Sequence, residues 1–179
     1  MEAHNPNQLA EQAKSAYQGG EFKKAADLFE AAASGFKAQD DAGSVAEMSN
    51  NQSVALLQSG DAEAALAATL NTDKVFEELG DTKRQAMALG NQAAALEALE
   101  RVQEAEQGYQ HSAELLKAVG EDELYATVMQ SISAIQMRTG RQIEALASMQ
   151  AGVDNAKKPS LWQRFLKRLL QIPMRLLNR

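Results

Sequence analysis

The sequence has no cysteine, and that absence removes disulfides, thiolate nucleophiles and cysteine-based metal sites together. Proline occurs only at Pro6, Pro159 and Pro173, so residues 7–158 offer no obligatory helix breaker. Aromatic residues make up 5% of the chain, and Ala, Leu, Gln and Glu dominate, a composition that reads as all-helical. No stretch approaches the roughly 20 uninterrupted apolar residues of a spanning helix. The opening MEAHNPNQ lacks the apolar core of a secretory signal, and the expected location is cytoplasmic. Histidine is nearly absent too: only His4 and His111 occur, with no nucleophile or carboxylate at motif spacing. Each glycine is accounted for by a turn or sits singly in a helix, so no phosphate loop forms, and neither a catalytic site nor a cofactor site is expected.

Cations are scarce over most of the chain. Residues 157–179 hold seven Lys or Arg and no acid, which leaves eleven cations against all 24 acids in residues 1–156, a formal balance of -13. Nucleic-acid binding is not expected of such a body, because phosphate contacts need clustered cations. Only the last segment is attracted to polyanions.

What is present is a repeat of 40 residues. LAEQAKSAYQGGEFKKAADLF, SNNQSVALLQSGDAEAALAAT, LGNQAAALEALERVQEAEQGY and MQSISAIQMRTGRQIEALASM align without gaps. Small residues fall in register at Ala13, Ser53, Ala93 and Ser133; a turn position at Gly20, Gly60, Glu100 and Gly140; an invariant alanine at Ala25, Ala65, Ala105 and Ala145; and a mostly large residue at Phe29, Thr69, Tyr109 and Met149. The pattern predicts two antiparallel helices per repeat that cross closely where small side chains let their backbones approach. Glycine supplies the left-handed conformation that ends the first helix. A lone hairpin cannot cover the apolar stripe of its second helix, so neighbours must stack. The acidic linkers AQDDAGS, ELGDT and AVGEDE read as helix caps. They lack the Asp-x-Asp-x-Asp-Gly pattern of a calcium loop, and no metal is expected there.

The small residue, Gly turn, fixed Ala and following aromatic resemble the tetratricopeptide repeat family. The 40-residue period, with Ala88-Leu89-Gly90-Asn91 and Glu78-Leu79-Gly80-Asp81, is similar to its longer-helix branch, typified by kinesin light chain and the Leu-Gly-Asn repeat proteins. The resemblance spans residues 8–156. It implies an all-α, right-handed solenoid of four helical hairpins, at 8–42, 43–81, 82–121 and 122–156, after a polar tail at 1–7. Glu100 in place of the turn glycine and Thr69 in place of the aromatic depart from the pattern, as does a fourth repeat poorer in core leucine.

The resemblance further implies that the first helices line a concave face used for protein or peptide partners. Its inward positions are Ala10, Glu11, Lys14 and Tyr17; Asn50, Asn51, Val54 and Leu57; Met87, Gly90, Asn91, Ala94 and Glu97; Thr127, Gln130, Ser131, Ala134 and Met137. Asn51 and Asn91, 40 residues apart, occupy equivalent places. In the longer-helix branch asparagines there pair with the backbone of an extended peptide, since a carboxamide both donates and accepts; the alternative is that they bond neighbouring helices. Val54, Leu57, Met87 and Met137 suit an amphipathic helical partner or, equally, a core. Lys14 is the one cation on this face, too few for a carboxylate clamp.

After Lys157-Lys158-Pro159, Ser160 and Gln163 form a capping-box signal for a basic amphipathic helix. Trp162, Phe165, Leu166, Leu169 and Leu170 share one face, while Arg164, Lys167 and Arg168 share the other. Three readings compete: a helix covering the last repeat, an anchor at an anionic membrane surface, or a contact with another protein, including a second copy of this chain. The function expected is that of a non-catalytic adaptor or scaffold, with a peripheral membrane protein or a self-assembling scaffold as alternatives.

Overall fold

Helix follows helix throughout the computed structural model, which describes residues 5–154. Nine helices lie within that range: α1 (Pro6–Gln18), α2 (Phe22–Lys37), α3 (Ala42–Gln58), α4 (Ala62–Ala68), α5 (Thr72–Glu78), α6 (Thr82–Ala98), α7 (Val102–Ala118), α8 (Asp122–Arg138) and α9 (Gln142–Asp154). No strand occurs among the described residues. The chain divides into two compact units, one ending at Gly108 and the other beginning at Tyr109, both inside the span of α7.

The beat that ends the helices is 20 residues, half the period visible in the sequence. Positive φ recurs at Gly20, Asp40, Gly60, Gly80, Glu100, Gly120 and Gly140. At each, the next residue's amide donates back to a carbonyl five residues earlier: Glu21 to Ala16, Asp41 to Phe36, Asp61 to Leu56, Asp81 to Phe76, Arg101 to Leu96, Glu121 to Leu116 and Arg141 to Gln136, all between 2.8 and 3.2 Å. This is the Schellman closure, which satisfies carbonyls that a helix end leaves open. Asp41, Asp61 and Asp81 then cap the following helix, each carboxylate accepting from the amide three residues on, of Ser44, Ala64 and Arg84. A stop and a start are thus packed into adjacent residues.

The two small-residue columns are where the paired helices touch. Ala13, Ser53, Ala93 and Ser133 are buried, as are Ala25, Ala65, Ala105 and Ala145. The Ser133 hydroxyl donates to the carbonyl of Ala145 at 2.8 Å, a side chain to backbone contact that only a close crossing permits. A Cβ placed on Gly108 would lie 3.0 Å from that of Ala93, so α6 and α7 approach to the limit of their side chains. In the first unit Ala10, Ala13 and Ala16 of α1 pack with Ala25, Ala26, Phe29, Ala32 and Phe36 of α2 and with Met48 and Ala55 of α3. The second helix of one hairpin therefore packs on the first helix of the next. Such alanine cores owe their cohesion to many short contacts more than to large buried side chains.

Two sequence expectations need correcting. The polar tail does not reach residue 7, because Asn5 accepts from the Asn7 amide at 3.0 Å as an N-cap and Pro6 begins α1. Proline is favoured there, where its missing N–H costs nothing, and Pro6 is buried close to Gly35. The second helix of the second repeat is not continuous either. It breaks into α4 and α5 at Thr69-Leu70-Asn71, where Asn71 takes φ 62°. The Thr69 hydroxyl bonds the Leu66 carbonyl, and backbone bonds tighten to three-residue spacing from Thr69 to Leu66, Leu70 to Ala67 and Thr72 to Thr69. A threonine in place of the large residue supplies this local competitor to the helix. The last two residues of the fourth repeat, 155 and 156, and everything expected of residues 157–179, lie outside the described residues.

Candidate functional site

The first helices of the repeats are α1, α3, α6 and α8, and the candidate residues fall on them as follows. Lys14 is exposed and Tyr17 half-buried on α1; Asn51, Val54 and Leu57 are half-buried on α3; Met87 is exposed, and Asn91, Ala94 and Glu97 are half-buried on α6. On α8, in the other unit, Gln130 and Met137 are exposed and Ser131 is half-buried. Met87 and Met137, at 42% and 53% exposure, are surface residues and not core. The helical segment expected to carry Trp162, Arg164, Phe165, Leu166, Lys167, Arg168, Leu169 and Leu170 lies outside the described residues.

Asn50 departs from the expectation of an open groove. It is buried at 7%, and its carboxamide oxygen lies 3.3 Å from the Thr72 hydroxyl, which also donates to the Thr69 carbonyl at 2.9 Å. One residue earlier in the helix turns the side chain about 100° around the axis, enough to move it from the outer face to the hairpin interior. Ala10, in the same column, is buried as well, whereas Gln130 there is exposed. Asn51 and Asn91 differ from Asn50 in kind: both are partly open to solvent, and neither side chain bonds another described residue. The equivalence of the two columns was legible in the sequence, but which one faces in was not.

Four of the expected groove residues come together in the first unit. Lys14, Tyr17, Asn51 and Val54, with Gln18 and Phe29, line a cavity of 230 Å³ between α1 and α3. Tyr17 stands edge-on to Phe22, ring centres 5.3 Å apart, which fixes the aromatic wall. The Lys14 ammonium donates to Glu11 at 2.8 Å, and that hydrogen bond raises its pKa above the usual lysine value. The cation beside this cavity is thereby matched by a neighbouring acid.

Further along, Arg84 ties α6 to α3. Its guanidinium bonds the Asp81 carboxylate at 2.7 Å and Glu47 at 3.1 Å, and lies 5.1 Å from the centre of the Phe76 ring. The bond to Asp81 raises the arginine pKa, while the Arg84 backbone amide foremost lowers that of Asp81. Both groups are open enough to water that the ion pairs contribute about 1 kcal/mol or less each. Together they link the first helix of the second repeat to that of the third.

Sequence reasoning missed two further hollows. A cavity of 390 Å³ opens at the α4/α5 break, lined among others by Asp41, Val45, Ser49, Leu70, Asn71 and Val75. Its signal was the run Thr69-Leu70-Asn71-Thr72, rich in residues that bond their own backbone. In the second unit a cavity of 260 Å³ is lined by residues including Gln110, Tyr125, Met129, Gln136 and Ser148, with the Ser148 hydroxyl donating to Gln136 at 2.8 Å. Burial pushes the Tyr125 phenol up. His111 is exposed on α7. Among the described residues no three His, Asp or Glu side chains gather as metal ligands would, and no helix is long and apolar enough to cross a membrane.

No family model and no curated protein sequence matches the chain.

Proposed function

We propose that this chain is a non-catalytic adaptor of the tetratricopeptide-like kind, a right-handed solenoid of helical hairpins, and that it binds an extended peptide along its first helices. The observation that carries the reading is the contrast among three asparagines. Asn50 is buried beside Thr72, whereas Asn51 and Asn91 present carboxamides that no described residue engages, at equivalent places on α3 and α6. A carboxamide pair so placed offers alternating donors and acceptors to a backbone whatever its side chains. The cavity beside Asn51, walled by Tyr17, Phe29 and Val54, suits one apolar side chain of that peptide. With Lys14 matched by Glu11, the face favours a neutral or weakly basic ligand over an acidic tail.

Peptides selected by display against the full chain provide the test. Asn51→Ala and Asn91→Ala should each weaken the selected peptide roughly threefold to tenfold, as expected for one hydrogen bond of about 0.5–1.5 kcal/mol, with the melting temperature unchanged. Unchanged affinity combined with earlier melting would assign both amides to the fold and remove the proposed ladder.

A further inference from the structure

We propose that the cavity of the second unit, lined by the end of α7, by α8 and by α9, binds a small zwitterion with a neutral polar side chain, a free amino acid of the glutamine kind. The fourth repeat departs from the other three at this place. Gln136 stands where they carry Ala16, Leu56 and Leu96, and Ser148 where they carry Leu28, Ala68 and Gly108. Both line the cavity, are buried at 6% and 9% exposure, and bond each other at 2.8 Å. One turn earlier in α8 the exchange runs the other way, since buried Ile132 replaces Gln12, Gln52 and Gln92. A carboxamide and a hydroxyl set where other repeats pack apolar side chains cost stability even when bonded to each other. Tyr125 adds a third polar group to the same lining: it is 7% exposed, and its phenol bonds no described residue. A buried phenol ordinarily finds a partner, so an unpartnered one beside a cavity points to what the cavity takes.

The lining dictates the chemistry of the ligand. Tyr125, Gln136 and Ser148 are all neutral, so the group they receive must donate and accept hydrogen bonds without bringing a charge that would be buried unpaired. A carboxamide does both. Glu114 and Lys117 belong to the same lining but sit at exposed positions of α7, and neither pairs with another described residue. One acid and one cation at the open side match a ligand that carries one of each, as the head group of an amino acid does. Met129 and Ile132 supply apolar wall for the stem between the two ends. The volume of 260 Å³ falls just below the range of drug-sized sites, which fits a molecule of about ten non-hydrogen atoms, the size of glutamine. An affinity of roughly 0.1–5 mM is expected for so small a ligand.

Heteronuclear NMR of the full chain, titrated with L-glutamine to about 20 mM, tests the assignment. Saturable shifts should appear at the amides of Tyr125, Gln136 and Ser148, and L-glutamate and L-lysine should produce none at the same concentration. Tyr125→Phe removes only the hydroxyl and should weaken glutamine about threefold to tenfold. Gln136→Leu with Ser148→Ala restores the apolar lining of the other repeats and should abolish the shifts while the melting temperature holds or rises, the reverse of what a pair needed only for folding would give. Tyr125→Phe keeps the proposal open to refutation if that double variant fails to fold. The absence of saturable shifts in the wild type overturns the proposal, as do equal shifts with glutamate or lysine, or an unchanged affinity in Tyr125→Phe. Binding of N-acetyl-glutamine N-methylamide as tight as that of glutamine overturns it too, in favour of a side chain within a peptide. None of these outcomes bears on the asparagine variants of α3 and α6.

Discussion

Glu100 sits at φ 58° where three of the four repeats carry glycine at their hairpin turn, and its backbone makes the same closure as they do. A β-carbon in that region costs about 1 kcal/mol, and an acid at a helix C-terminus adds an unfavourable dipole interaction. Glu100→Gly should therefore raise stability by about 0.5–1 kcal/mol in urea unfolding, more than Asp40→Gly, because aspartate tolerates the left-handed region better. The sequence marked Glu100 as a departure from the pattern, yet the conformation survived the substitution: flanking closure bonds impose the turn, and glycine merely makes it cheap. Asp81 permits a second test at this scale. Its carboxyl is held below the ordinary range by the Arg84 amide and guanidinium, so the folded state binds its proton less readily than the unfolded state. The stabilisation is present above about pH 4 and is lost as pH falls through the lowered value. Asp81→Ala should cost about 1 kcal/mol at neutral pH, and the gap between its melting temperature and that of the wild type should narrow below pH 4.

Among the elements, the crossing columns were the most legible part of the fold, because a residue that must be small leaves a trace at every repeat. Ala93 faces Gly108 at the contact limit, so Ala93→Leu should cost about 1–3 kcal/mol by overpacking, whereas His111→Ala on the exposed side of α7 should change stability by less than about 0.5 kcal/mol. Calorimetric melts of the two variants compare them directly. The break between α4 and α5 was not legible. Residues 62–78 have the length of an ordinary second helix, and Thr69 looks like a mild loss of bulk until its hydroxyl is seen bonding Leu66. Hydrogen exchange should find the amides of residues 70–72 opening well before those of Leu66 or Phe76, since their bonds are long or absent and lie at the helix ends. Inward and outward columns were confused for a related reason. The 40-residue alignment fixes which residues are equivalent, but only the partner helix decides whether Asn50 or Asn51 faces it.

Among the described residues the most extensive packing joins helices that are neighbours along the chain, as α1 with α2, α2 with α3 and α8 with α9, while α3 also meets α5 and α6. Contacts of this kind close short loops, so refolding from urea should relax in the microsecond to millisecond range when followed by rapid-mixing or temperature-jump measurements. The period of 20 that ends the helices also gives the architecture a reading frame. Inserting a single residue into a helix rotates everything after it by about 100°, carrying alanines out of the crossings and charges into them. Excision of residues 61–100 is different in kind: it joins Gly60 to Arg101, which stands where Asp61 stood, and lays Ala105 where Ala65 met Ser53. Change by whole beats leaves the frame intact, so chains of this design can lengthen or shorten by duplication and loss far more readily than they can accept one stray residue.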